Sequence, residues 1–284
     1  MKEKSYAKLN IALNVTNKVK PSKFHDLEML NICINLYDII DIKFINNHKK
    51  EISITTNNKS LETNKDNLIY KVIEKFININ NIDYSFKVKL NKKIPIQAGL
   101  GGGSSNAATT LNMLDKYFKT NMNFNDKIVF LEDLTSDGPY FIKSSPAKVK
   151  GKGNVITHIK GKINYPILIV KPFSGCNTAN IFNSLNYQTL KHPNMYKIEK
   201  AFEKNDFDTL VNYIDNSLTD SAIKVNLDIL DTINRLRACG FEIVSMTGSG
   251  STVFAISKRK LPYKLYKKVI NKENYEIIKI VKQI

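Results

Sequence analysis

The stretch IPIQAGLGGGSSNAATTLNML, residues 94–114, puts glycine at four of the five positions 99–103 and then turns at once to helix-forming residues. Gly99, Gly101, Gly102 and Gly103 make a poor core and a poor helix. Bare backbone has a physical use there. Glycine allows close approach and the positive φ angles that turn successive amide N–H groups toward one anion. A helix starting at that point adds unpaired N–H groups and the favourable end of its dipole. Ser104, Ser105 and Asn106 can cap such a helix or reach phosphate and Mg²⁺ oxygens. The segment therefore predicts an anion, best a polyphosphate, over residues 99–106. It is not a Walker A loop, because no Lys-Ser/Thr pair follows the last glycine, and it does not follow the G-x-G-x-x-G spacing. Leu100, apolar among glycines, predicts packing against something fixed. A second glycine turn, MTGSGSTVFAI (246–256), carries Gly248, Ser249 and Gly250 between two apolar strands. Alone it would be an ordinary hairpin; together the two turns point to a shared phosphate site.

The rest of the chain frames these turns. Its 284 residues suffice for one large domain or two ordinary ones, and 42% hydrophobic with 10% aromatic residues is a globular composition. No apolar run approaches the roughly 20 residues of a membrane helix, and the start, MKEKSYAKLNIALNV, lacks the apolar core of a signal peptide. A cytoplasmic protein without a membrane partner is expected. Cys33, Cys176 and Cys239 form no C-x-x-C pair and read as packed thiols. The net charge of +17 comes almost wholly from lysine, with arginine only at 235, 237 and 259. Phosphate forks and base edges favour arginine, so no nucleic-acid partner is expected. Strands are expected over 37–45, 51–56 and 84–90, with a helix over 67–79 carrying Leu68, Val72, Ile73 and Phe76 on one face. Ala107, Leu111, Leu114 and Phe118 share a face of the helix after the glycines. Beyond a small, basic stretch at 146–153 come a strand at 165–171, helical segments over 177–237 and strands at 241–246 and 252–257. A strand-rich first half and helix-rich second half give an α+β chain in two lobes.

Pro95–Ala108, read as P-x-x-x-G-L-G-G-G-S-S-N-A-A, resembles the phosphate loop of the GHMP kinases. AKLNIALNV (7–15), FHDLEML (24–30) and MTGSGSTVFAI fit that family in order, and KDNLIYKVI (65–73) and NTANIF (177–182) fit more weakly. The doubled glycine and SSNA are most like the branch that phosphorylates 4-diphosphocytidyl-2-C-methyl-D-erythritol in non-mevalonate isoprenoid synthesis. The resemblance implies a two-lobed fold, residues 1–158 and 159–284. The first lobe would be strand-rich and the second a ferredoxin-like α/β lobe, with the active site in the cleft between them. It implies ATP and Mg²⁺ as cofactors and a small-molecule substrate with a cytidyl diphosphate group. Lys8 matches the lysine that orients the acceptor 2-hydroxyl, and Asp137, in TSDGPYF, the aspartate that takes its proton. Alone, the first would be an ordinary strand-flanking lysine and the second an ordinary turn aspartate. Asn10, Phe24, His25 and Phe182 match substrate-binding positions, where an aromatic face suits a pyrimidine and an imidazole its edge. Asn67, Leu68 and Lys92 match residues lining the nucleotide pocket. Thr135 stands where the family has Gly, and Gly138 where it has Val. A GHMP kinase for another small alcohol, or a non-catalytic ATP-binding homologue, remains open from sequence. No carboxylate set stands out as the Mg²⁺ ligands, and nothing in the chain fixes its oligomeric state.

Overall fold

The computed structural model describes residues 1–18 and 25–284. Along the chain come strands β1 (Lys2–Lys18), β2 (His25–Ile45) and β3 (Ile52–Thr56), helix α1 (Leu68–Asn80), strand β4 (Ser85–Asn91), and helices α2 (Gly102–Phe118), α3 (Phe124–Glu132) and α4 (Gly138–Phe141). Strands β5 (Ala147–Gly151), β6 (Val155–His158) and β7 (Ile167–Pro172) lead to helices α5 (Thr178–Asn183), α6 (Met195–Lys204), α7 (Phe207–Tyr213), α8 (Thr219–Val225) and α9 (Asp228–Ala238). Strands β8 (Ile243–Met246) and β9 (Val253–Ile256), helix α10 (Leu261–Val269) and strand β10 (Tyr275–Val281) follow. Two compact units result, one of Met1–Ala7, Leu36–Ile94 and Gly101–Ser144, the other of Lys8–Asn35, Pro95–Leu100 and Ser145–Ile284. No helix among the described residues is long and apolar enough to cross a membrane.

In the first unit the later half of β2 pairs antiparallel with β4, from Ile39 opposite Asn91 to Ile45 opposite Ser85, and β3 joins β4 in parallel. Helix α1 buries Ile69, Val72, Ile73, Phe76 and Ile77. Leu68 lies only half-buried, because the apolar face starts one residue later than its spacing suggested. Helix α2 buries Ala107, Leu111 and Leu114 as expected. Phe118 at its end meets Phe44, Phe76, Tyr84 and Phe86 with ring centroids 5.2–6.3 Å apart, within the range where aromatic pairs attract edge to face.

In the second unit the first half of β2 pairs with β5, Leu27 opposite Gly151 through Asn31 opposite Ala147, and β5 pairs with β6. A separate antiparallel sheet runs β10-β7-β9-β8. With α5–α9 between β7 and β8 and α10 between β9 and β10, its connectivity is ferredoxin-like, in line with the expectation for the later part of the chain. Strand β2 begins twelve residues before the expected 37. Met29–Ile34 is buried on both faces, so the alternation that marks a half-exposed strand is missing. Strand β10 and helix α10 had no counterpart in the sequence reading; β10 is an edge strand with only its ends fully buried.

Phe76 is wholly buried among the rings of the first unit. Replacing it with Ala is expected to lower unfolding free energy by about 3–5 kcal/mol, measured by urea denaturation.

Candidate active site

Strand β1 alternates in the ordinary way, with Ala7, Leu9, Ile11, Leu13 and Val15 on one face. The opposite face is polar at Lys8, Asn10 and Asn14, yet these too are 9% exposed or less. A buried polar face is costly unless its groups are paired. Lys8 Nζ donates to Asn10 Oδ1 at 2.6 Å, and Asn10 Nδ2 donates to Asn31 Oδ1 on β2, also at 2.6 Å. The backbone N–H of Asn10 donates to Thr247 Oγ1 at 2.9 Å, and that of Lys8 to the Leu100 carbonyl at 3.0 Å. The strand carrying Lys8 is thereby tied to both glycine turns within the second unit.

Those turns interlock by backbone. A Cβ on Gly99 would lie 2.1 Å from the Thr247 carbonyl oxygen, and Gly99 has φ +70°. A Cβ on Gly248 would meet Gly99 O at 3.0 Å. No side chain fits either place. Asn216, which the sequence did not single out, holds the second turn by donating from Nδ2 to the carbonyls of Met246 and Gly248. Ser249 Oγ and Thr178 Oγ1 are hydrogen-bonded at 2.8 Å, and Gly250 is buried between Met246 and Ile229. Pro95 and Leu100 are buried, so Leu100 does pack as its apolar character implied.

In the first unit α2 starts after Gly101, a left-handed residue (φ +67°) with no side chain to cap the helix. The N–H groups of its first turn are thus left for another acceptor. Gly103 is exposed there and Gly102 buried, where a Cβ would sit 2.9 Å from Ile94 Cγ2. Ser105 and Asn106 turn inward: Ser5 Oγ donates to Ser105 Oγ, and Asn106 Nδ2 donates to Ser5 Oγ and Asp38 Oδ2. Ser104 remains half-buried, its Oγ 2.6 Å from Thr135 Oγ1.

Lys92, expected along the nucleotide pocket, is buried and bonds Asp38 Oδ2 at 2.5 Å and Asn106 Oδ1 at 3.3 Å. Asp38 has no exposed surface, and its other oxygen accepts from the backbone N–H groups of Lys93 and Ile94. The visible signal for Asp38 was a carboxylate inside an apolar strand, LYDII. Asn67 caps α1, accepting from the Ile69 N–H and donating to the Glu62 carbonyl. Leu68, expected on the nucleotide side, has Cδ1 3.5 Å from where a Cβ on Gly103 would lie.

Asp137 is half-buried and opens the short helix α4. A Cβ on the next residue, Gly138, would lie 2.5 Å from Thr135 Cγ2. Thr135 and Gly138 have exchanged bulk relative to the family's Gly and Val. The methyl fills the space a Val would take, while the Thr135 hydroxyl fastens this turn to Ser104.

In the second unit His25 lies 4.8 Å, centroid to centroid, from Phe182, and Tyr187 is stacked on the imidazole at 6.2 Å and 6°. Tyr187 was not foreseen; it is exposed, and its partial burial raises the phenol pKa. Phe24, expected to stack on a pyrimidine, lies outside the described residues. Cys33, Cys176 and Cys239 are buried, and burial pushes the thiols of Cys176 and Cys239 up. Among the described residues no group of three or more His, Cys, Asp or Glu side chains could hold a metal ion.

Residues 67–136 match the family described as GHMP kinases N terminal domain, and residues 198–276 match GHMP kinases C terminal. A 4-diphosphocytidyl-2-C-methyl-D-erythritol kinase from Lachnoclostridium phytofermentans is 36% identical over 254 residues, 89% of this chain and 86% of that one. One from Clostridium perfringens (strain 13 / Type A) is 33% identical over 256 residues, 90% and 88% of the two chains. The crystal structure of a 4-(cytidine 5'-diphospho)-2C-methyl-D-erythritol kinase superposes over the whole of both chains with a TM-score of 0.78 at 20% identity, a likeness of fold.

Two tests follow from the geometry of the first unit. Asp38→Leu strands the Lys92 ammonium and should cost about 3–5 kcal/mol, with part recovered in Asp38→Leu/Lys92→Met, by chemical denaturation. Gly138→Val should overpack against Thr135 and cost about 1–3 kcal/mol; adding Thr135→Gly should give a favourable coupling of about 0.5–3 kcal/mol in the double-mutant cycle.

Proposed function

The chain belongs to the GHMP kinases and is an ATP-dependent small-molecule kinase, and we propose that it phosphorylates the 2-hydroxyl of 4-diphosphocytidyl-2-C-methyl-D-erythritol, the alcohol for which its relatives are named. The observation that carries the phosphate side of this reading is the first turn of α2, whose N–H groups meet no capping side chain at Gly101. Backbone donors fixed in place stabilise charge on a transferring phosphoryl group without reorganising during the reaction. Gly101, Gly102, Gly103 and the N–H of Ser104 hold the phosphates, and Leu68 lines the nucleotide side.

On the acceptor side Lys8 holds the hydroxyl through its ammonium, and Asn10 fixes that ammonium at 2.6 Å. Asp137 takes the proton as the hydroxyl oxygen bonds to the γ-phosphorus and the bond from that phosphorus to the bridging oxygen of ADP breaks. His25, Phe182 and Tyr187 present aromatic faces and an imidazole to the cytosine ring, as pyrimidine recognition by stacking and edge hydrogen bonds requires. Mg²⁺ suits a site of this donor set, because it keeps waters and phosphate oxygens as most of its ligands and needs few from protein. Ser104 Oγ, held by Thr135, is the hydroxyl of the α2 first turn that would reach it. When bound, the ion neutralises charge on the β- and γ-phosphates.

Purified enzyme supplied with ATP and either the cytidyl diphosphate alcohol, mevalonate or homoserine tests the assignment. The first is expected to be preferred, and faster turnover of either other alcohol overturns it. In the same assay Asp137→Asn should lower kcat about 10²–10⁴-fold while ATP still binds.

A further inference from the structure

We propose that Asn31 is a positioning residue for Lys8, acting through the amide of Asn10. The inference rests on the reading of Lys8 as the group that holds the acceptor hydroxyl. An ammonium has only donors, so it requires Asn10 to present its carbonyl oxygen. The observed bond, Lys8 Nζ to Asn10 Oδ1 at 2.6 Å, meets that requirement. It also turns the NH₂ end of the Asn10 amide into an interior where Asn10 is 1% exposed. That end must find an acceptor or the amide is penalised for presenting oxygen to the lysine.

The neighbours offer two acceptors. Met29 Sδ lies 3.2 Å away and is a weak one. Asn31 Oδ1 lies 2.6 Å away on β2 and is a strong one. Asn31 is wholly buried, and its own Nδ2 has no hydrogen-bond partner among the described residues. An amide buried at the cost of one orphaned donor is there for its oxygen. With that oxygen in place, flipping Asn10 would bring two donors against an ammonium on one side and two acceptors together on the other. The pair of amides therefore locks a single orientation, and the lysine with it. Main-chain pairing keeps the acceptor in register, since Asn31 stands opposite Ala147 in the β2–β5 ladder.

The oxygen can be separated from the side chain's bulk by substitution. Asn31→Leu and the smaller Asn31→Ala remove the acceptor. Asn31→Asp keeps an oxygen at the Oδ1 position and replaces only the nitrogen that bonds nothing. With full-length enzyme, ATP and the cytidyl diphosphate alcohol, the acceptor-less variants should lose about tenfold or more in kcat, as small misplacements of a reacting group do. The ATP KM should stay within about twofold, because the lost bond orients the group that holds the acceptor hydroxyl and not the nucleotide. Asn31→Asp should recover most of the kcat. Wild-type kcat in Asn31→Leu or Asn31→Ala overturns the proposal. So does an equal loss in all three variants with the ATP KM rising alongside, which marks a packing role. Lys8→Met separates the two levels. If it is inactive while Asn31→Leu is not, only the role of Asn31 falls; if it retains turnover, the reading of Lys8 falls and the inference with it.

Discussion

A carboxylate with no access to water, Asp38, accepts four hydrogen bonds and leaves none of its capacity idle. One oxygen takes the N–H groups of Lys93 and Ile94, which fixes the chain just as it leaves β4. The other takes the Lys92 ammonium and the Asn106 amide, which fixes the first turns of α2. A charge so placed is expensive to bury, and only a full set of donors makes it tolerable. Its value lies in geometry: the strand end and the helix start are held by one rigid group. The helix can then present an uncapped first turn without fraying, although Gly101 contributes nothing to hold it.

How much of this was legible in the sequence follows from where burial and periodicity agree. The glycines, the helix after them and the fit of Leu100 were readable because bare backbone at a helix start has few other uses. Helix α1 was readable for its spacing. The early part of β2 was not, because burial of both faces from Met29 to Ile34 erases alternation. Lys92 and Asn67, expected along the nucleotide pocket, also have partners the sequence did not announce: the lysine pairs with Asp38 and the asparagine caps α1. A one-dimensional pattern gives position along the chain, and a side chain's partner depends on what the fold brings beside it. Asp38, Asn31, Asn216 and Thr135 escaped for that reason. Each is a polar residue whose partner lies tens of positions away along the chain, so that no local pattern announces the contact.

Thr135 and Gly138 show how two departures from an expected pattern can offset each other in volume. Taken singly, a glycine next to the proposed base loosens the backbone, and a threonine in place of a glycine crowds it. Together they conserve volume, because the methyl of one occupies the space vacated by the other. Cores tolerate exchanges of this sort far better than uncompensated changes. The hydroxyl adds what a glycine could not: a bond to Ser104 that couples the Asp137 turn to the first turn of α2 within the first unit.

The second unit solves a related problem with amides. Strand β1 has a polar face that folding removes from water, and each group on it must therefore be satisfied in one arrangement. Thr247 accepts from the Asn10 N–H, Leu100 from the Lys8 N–H, and Asn31 from the Asn10 side chain. Backbone contact between Gly99 and the Gly248 turn then sets where that strand stands relative to both loops. An ammonium carried on such a strand is placed before any substrate arrives. For a reaction in which the protein supplies positioning and charge and little covalent chemistry, that prior placement is most of what catalysis requires. The buried polar residues of this chain are thus better understood as the fixed mounting of a few reactive groups than as contributors to stability, since well-packed apolar side chains in the same places would stabilise the fold as well or better.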